Sequence, residues 1–253
     1  MEEKTDSKNV KSIEKAFRIL MLFDWDNREL SLTEVSQKMG MAKSTASRLL
    51  GTLVNLGFLY RSQETNRYLL GSEIFYLGQI ARDSSDLTRL CLPVLQNLTK
   101  ETRETSHVYI YRGMDRICLE QVESPQVIKQ SVQVGSVEPL WKGASGYAIL
   151  AFLEEGIQER AAVLQYGENE REKINAFLRS LAKIRREGIA VRHDTWDGGV
   201  GCIAAPIFDM YGRIAGSLAV STPAFRFPED SHSMEQWVWE GAMTLSRQLG
   251  YRE

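Results

Sequence analysis

Apolar positions first fall into register at Ile13, Ala16, Phe17 and Leu20, just after Ser12. That spacing lays one stripe along a helix and predicts a first helix that ends before the polar stretch 24–29. Ser31-Leu32-Thr33-Glu34 has the form of a capping box, in which the Ser31 hydroxyl accepts from the Glu34 backbone N–H and the Glu34 carboxylate returns to that of Ser31. A short helix follows and ends at Met39. Gly40 is able to take the left-handed conformation and turn the chain sharply. A second amphipathic pattern starts at once: Ala46, Leu49, Leu50, Leu53 and Val54 share one buried face, and Ser44, Thr45, Ser47, Arg48, Thr52 and Asn55 cover much of the rest up to a stop at Gly57.

Two short alternating segments, 58–61 and 67–70, joined by Ser62-Gln63-Glu64-Thr65-Asn66, predict a β-hairpin. Residues 72–81 form a connecting helix and 87–101 a longer one, with the domain boundary between them. Beyond it the pattern becomes mixed. Strands are expected at 108–111, 117–122 and 128–134, and helices at 144–153 and 174–184. The apolar runs 200–208 and 214–221, joined by Asp209-Met210-Tyr211-Gly212, predict a hairpin, and a helix over 233–249 closes the chain. The fold class is α+β: a flexible tail over 1–11, a winged helix-turn-helix over 12–71, a linker helix over 72–86, and an antiparallel-sheet domain over 87–253.

Composition adds exclusions. The chain has 253 residues, 43% hydrophobic and 25% charged, with no long apolar run and a polar N-terminus, which argues against a membrane span or signal peptide and for the cytoplasm. Cys91, Cys118 and Cys202 are odd in number and far apart, so no disulfide framework is expected. The three histidines lack helical pair spacing, so neither a metal nor another cofactor is expected. The net charge of −2 says little, but its distribution says more. The first 70 residues hold 11 basic and 9 acidic side chains, and the window 35–63 contains no acid while carrying Lys38, Lys43, Arg48 and Arg61.

Two helices joined by a glycine turn, followed by a basic hairpin, form the pattern of a DNA reader. The first two turns of the second helix carry Lys43, Ser44, Thr45, Ser47 and Arg48, followed by Thr52. Arg48 suits a guanine edge, Ser and Thr hydroxyls suit a base or a phosphate, and Lys38 and Lys43 suit phosphates. In the wing, Arg61, Asn66 and Arg67 can reach the flanking backbone or minor groove. A polar helix face turned to water is the bland alternative, and the ordered succession of capping box, turn, helix and hairpin weighs against it.

With these residues set out, the chain resembles the IclR-type (isocitrate lyase regulator) transcription factors along nearly its whole length. The matching pieces are SIEKAFRILMLFD, SLTEVSQKMGMAKSTASRLLGTLVNLGFL and NRYLLG, then VGSVEPLWKGASGYAILAFL and GCIAAPIFDMYGRIAGSLAVSTP. The resemblance implies a repressor or activator with a winged helix, a linker helix and a GAF-like effector domain, assembled as a homodimer or dimer of dimers on a palindromic or pseudo-palindromic double-stranded DNA operator. It places a small-molecule effector among Ala144, Ser145, Cys202 and Ser221, with Arg192 and Asp194 in a neighbouring segment. The chain departs from the family at Trp141, Tyr147, Ala219 and Arg192. The effector class expected is an aromatic or carboxylate metabolite: Trp141 and Trp196 suit a flat ring if they face the cavity rather than pack in the core, and Arg192 is able to pair with a carboxylate. The mechanism expected is that the effector shifts the orientation of the two DNA-binding domains through the linker segment 72–86, as a difference in affinity between two states.

The rival reading is an enzyme that processes a small molecule with Cys202. Gly143-Ala144-Ser145-Gly146-Tyr147 lacks the glycine a nucleophile elbow needs two places after its serine. Gly199-Val200-Gly201-Cys202-Ile203-Ala204 leads into a strand where a dinucleotide fingerprint leads into a helix. A catalytic Cys202 wants a histidine nearby, and His193 is the local candidate.

Overall fold

The computed structural model describes residues 10–83, 86–194 and 199–252, apart from the side chains of Arg82, Asp83 and Asp194. Trp196 and the first nine residues lie outside the described residues. The chain divides into two compact units, Met1–Ser84 and Ser85–Glu253.

The first unit runs α1 (Lys11–Leu20), β1 (Glu29–Leu30), α2 (Leu32–Lys38), α3 (Lys43–Asn55), β2 (Leu59–Arg61), β3 (Tyr68–Leu70) and α4 (Ser72–Asp83). Its strands form an antiparallel sheet in the order β1-β3-β2. The capping box forms, with Glu34 N donating to Ser31 Oγ at 3.2 Å and Ser31 N to the Glu34 carboxylate at 2.7 Å. Gly40 takes φ +59°, and the Ser36 hydroxyl ties the turn by donating to the Met41 carbonyl at 2.6 Å. Helices of 7 and 13 residues are too short to persist alone, so packing holds them. Ile19, Leu30, Val35, Ala46, Leu50, Leu53, Leu59 and Tyr68 form the core. β1 has no signature in the sequence, because two residues cannot display an alternation. Along α4, Phe75, Tyr76 and Leu77 are exposed.

The second unit contains α5 (Asp86–Thr102), β4 (Thr105–Arg112), β5 (Asp115–Val122), β6 (Val137–Pro139), α6 (Gly143–Leu150), α7 (Glu155–Tyr166), α8 (Arg171–Glu187), β7 (Ala190–Asp194), β8 (Val200–Phe208), β9 (Ile214–Pro223) and α9 (His232–Gln248). Its six strands are antiparallel in the order β6-β5-β4-β9-β8-β7. Alternation sends neighbouring side chains of each strand to opposite faces. Leu218 therefore meets α9 at Gly241, while Ser221 and Cys202 face α6. Helices α5 and α9 cover one face, α6 lies on the other, and α7 and α8 stack outside α6.

Two expectations change. Residues 128–134 do not form a strand: Ile128 is exposed, and the Val132 N–H is taken by the Gln121 side chain at 3.0 Å, so the edge strand is β6 instead. Helix α7 was not foreseen, because its buried positions Gln158, Ala161 and Ala162 make only a weak apolar stripe. No described helix is long and apolar enough to cross a membrane.

Candidate functional site

In the first unit, α3 buries Ala46, Leu50 and Leu53 and exposes Lys43, Ser44, Thr45, Ser47, Arg48 and Thr52. No acidic side chain lies on this helix. The Thr52 hydroxyl donates to the Arg48 carbonyl at 3.0 Å and is already satisfied by its own helix. In the wing, Arg61 is exposed with its guanidinium 5.6 Å from the centre of the Tyr68 ring, and Asn66 turns the hairpin at φ +56°.

Arg67 is placed differently from the sequence expectation. Its guanidinium lies 2.8 Å from the Glu34 carboxylate and 3.1 Å from that of Glu29. The capping-box hydrogen bonds to Ser31, together with Arg67, hold the Glu34 carboxyl down at about 2. Arg67 therefore braces the wing against α2 and β1, and a guanidinium engaged by two carboxylates is a poor phosphate ligand.

The second unit holds a small cavity of about 70 Å³ between the sheet and the start of α6. Its walls come from β4 (His107, Tyr109), β5 (Arg116), the segment between β5 and β6 (Gln130, Val132), β6 (Glu138), α6 (Gly143, Ser145), β7 (Arg192), β8 (Val200, Cys202) and β9 (Ser221). Strand register explains the back wall, since Arg192 pairs with Cys202 and Cys202 with Ser221 across three adjacent strands. Of the expected effector residues, Ser145, Arg192, Cys202 and Ser221 meet here. Ala144 is fully buried in the first turn of α6, whose backbone N–H groups are directed at the Cys202 thiol. Asp194 ends β7, and its side chain lies outside the described residues.

His107 donates to or accepts from Ser221 Oγ at 2.8 Å through Nε2, and its buried Nδ1 has no partner. Burial, with a smaller push from the charge of Arg116, lowers the His107 pKa to about 3, so the ring is neutral. Arg116 is 5% exposed and is held by the Glu138 carboxylate, the Lys142 carbonyl and, at 3.2 Å, the Pro139 carbonyl. Its guanidinium lies 4.8 Å from the Tyr109 ring centre, and its buried Nε has no partner. Arg192 stacks on Tyr147 at 4.3 Å. Two guanidiniums against one carboxylate leave the described walls with a net charge of +1.

Sequence reasoning missed His107, Tyr109, Arg116 and Glu138. Alternation pointed the other way: Arg116, Cys118 and Glu120 form the more polar register of β5, opposite Ile117 and Leu119, and the fold buries that register all the same. Of the two readings open for Trp141, packing is the one seen: it lies half-buried against the hydrophobic core and is not among the residues that line the cavity.

Two family models match: the IclR helix-turn-helix domain over residues 12–63 and the bacterial transcriptional regulator IclR C-terminal domain over 79–249. The chain is 29% identical to the HTH-type transcriptional regulator KdgR of Dickeya chrysanthemi over 97% of its own length and 82% of that protein. The crystal structure of an IclR transcriptional regulator from Alicyclobacillus acidocaldarius superposes with a TM-score of 0.83 at 26% identity, covering 96% of this chain and 100% of that one. An IclR homolog from Microbacterium hydrocarbonoxydans, complexed with 4-hydroxybenzoate, shares the fold with a TM-score of 0.78 at 20% identity, covering 94% and 98%.

These relatives overturn the enzyme reading, and the local chemistry agrees. Burial pushes the Cys202 thiol up, away from the reactive thiolate. His193 packs edge-on against Phe227 with centroids 4.1 Å apart, while His107 is engaged with Ser221. With the helix-turn-helix model matched over 12–63 and the C-terminal model over 79–249, the chain belongs to the IclR family of bacterial transcriptional regulators.

Proposed function

We propose that this regulator reads its operator with the exposed face of α3 and is controlled by a small carboxylate bound in the α6 cavity. The reading is carried by one combination: an acid-free, exposed helix face on the same chain as a buried cavity with a net positive wall. Arg48 makes base-edge contacts in the major groove. Ser44, Thr45 and Ser47 contact base edges or phosphate, and Lys43, Arg61 and Asn66 contact the backbone. Thr52 lines the same face, and Arg67 supports it indirectly.

The carboxylate part of the effector expectation is retained. The described walls include one aromatic ring suited to stacking, Tyr109, and Arg116 already covers it. The 4-hydroxybenzoate bound by the Microbacterium homolog supports an acid as the ligand class in this fold. Ser145, Ser221, Cys202 and the first-turn N–H groups at Ala144 supply polar contacts, with Arg192 as a second cation; Asp194 follows two positions later on the same strand.

The functional particle is a homodimer or dimer of dimers acting in the cytoplasm on a palindromic or pseudo-palindromic site. The exposed Phe75, Tyr76 and Leu77 of α4 support burial against a second copy. Effector and operator binding are linked reciprocally, by about 1–3 kcal/mol.

The test is anisotropy of labelled DNA flanking the regulator's own gene, against random duplex, across a salt series. Selective binding is expected, with a log-log slope of about −0.9 per phosphate neutralised. Equal affinity for both duplexes, with and without small acids, overturns the reading.

A further inference from the structure

We infer that Arg116 is the anchor for the effector's carboxylate and that Glu138 is a built-in counter-ion which occupies it until the effector displaces it. This inference rests on the effector reading above and names the contact by which that cavity selects an acid.

The two partners differ in freedom. The Arg116 side chain is 6% exposed, whereas that of Glu138 is 39% exposed and rises from a three-residue edge strand. Backbone carbonyls of Pro139 and Lys142 fix the guanidinium at the start of α6. Glycines on that helix leave it just enough room: a Cβ on Gly146 would stand 2.8 Å from Nη1, and one on Gly143 would stand 3.4 Å from Nη2. The cation therefore cannot retreat. The carboxylate is able to swing into water, where its charge is solvated at little cost.

Glu138 also fills its place incompletely. An arginine offers Nε and Nη2 as a side-on fork matched to the two oxygens of a carboxylate. Elsewhere in the molecule that fork is filled, as Glu104 accepts from Arg226 Nε at 2.7 Å and from Nη2 at 2.9 Å. On Arg116, Glu138 takes Nη2 alone, and the buried Nε has no partner. A free carboxylate that reaches both nitrogens gains a charge-assisted hydrogen bond Glu138 does not make. The unpartnered Nδ1 of His107, on the same cavity wall, is available to a second polar atom of the same ligand. Because the departing Glu138 takes its charge to the surface, the incoming acid leaves the charge balance inside unchanged.

The experiment is calorimetric titration of the full chain with acetate, lactate and benzoate, using acetamide, lactamide and benzamide as neutral controls. The wild type, Glu138→Gln and Arg116→Lys are compared, and operator affinity is read on the same samples. The acids are expected to bind and the amides not. Glu138→Gln should tighten acid binding about tenfold by removing the internal competitor. Arg116→Lys, which keeps the charge and loses the fork, should weaken it by a similar factor. If Glu138→Gln fails to fold around its uncompensated arginine, Glu138→Asp, whose shorter arm holds Arg116 less well, should show the same tightening. Acid binding that is unchanged or weaker in the position-138 variants overturns the inference, as do amides binding as well as acids. So does the absence of saturable acid binding to Glu138→Gln at millimolar concentration. An acid that tightens as described yet leaves operator affinity unchanged removes the effector reading and leaves the Arg116–Glu138 exchange standing.

Discussion

The Arg67 guanidinium reaches back 33 positions to the Glu34 carboxylate, at 2.8 Å, and joins the residue that leads into β3 of the wing to the capping box of α2. One carboxylate thus serves two elements, since it also accepts from the Ser31 backbone. Replacing Arg67 with Gln should lower the melting temperature and loosen the wing, which amide exchange across β2 and β3 would reveal. Operator affinity should fall without a change in the number of ions released. A salt slope that drops by about one instead would return Arg67 to the phosphate contacts.

Because the Glu34 carboxyl titrates near 2 in the folded unit and near its ordinary value of 4.5 in the unfolded chain, its contribution is complete above 4.5. It fades as the pH falls toward 2. Ser31→Ala removes the hydroxyl half of the box and should cost about 0.5–2 kcal/mol in chemical denaturation, with the helix boundary intact.

Arg48→Ala should cost about 1–3 kcal/mol on the target site and relax the preference at one base pair per half-site. Lys43→Ala should instead weaken binding to all duplexes alike and reduce the salt slope by about one. Competition assays with single-base operator variants separate the two, and an Arg48→Ala protein with unchanged base preference would remove that residue from the reading set.

His107 supplies a pH dependence of opposite origin to that of Glu34. Its ring is neutral when folded, with a pKa near 3, and takes up a proton near 6.5 when unfolded. Below 6.5 the unfolded state binds more protons, so the second unit loses stability as the pH falls, by at most about 1.4 kcal/mol per pH unit. His107→Gln should flatten this slope between pH 6 and 4, and an unaltered slope would place the titrating group elsewhere.

Gly146→Ala tests the packing of α6 over the cavity. A Cβ there would lie 2.1 Å from the Leu140 carbonyl oxygen, so α6 or the segment before it has to move. A loss of about 1–3 kcal/mol is expected, with acid binding impaired because Arg116 is displaced by the same shift.

Local signals written within a few residues were enough for the first unit. The capping box, the glycine turn, the apolar face of α3 and the hairpin each depend on contacts between near neighbours, so the sequence determined them, and with them the identity of the exposed side chains of α3. The strong apolar runs of β8 and β9, joined by a tight turn, were legible for the same reason. What tertiary structure decided is which distant residues meet. Sheet order places β4 beside β9, which brings His107 to Ser221, 114 positions away, and the β5–β6 pairing brings Arg116 to Glu138. Hydrophobic periodicity says that a strand is half-buried but not which strand lies beside it. Arg67 was assigned to DNA for that reason, and its carboxylate partners became visible only when β1, β3 and α2 came together. The cavity beside α6 is likewise a property of strand order, built from side chains whose chemistry was in the sequence and whose proximity was not.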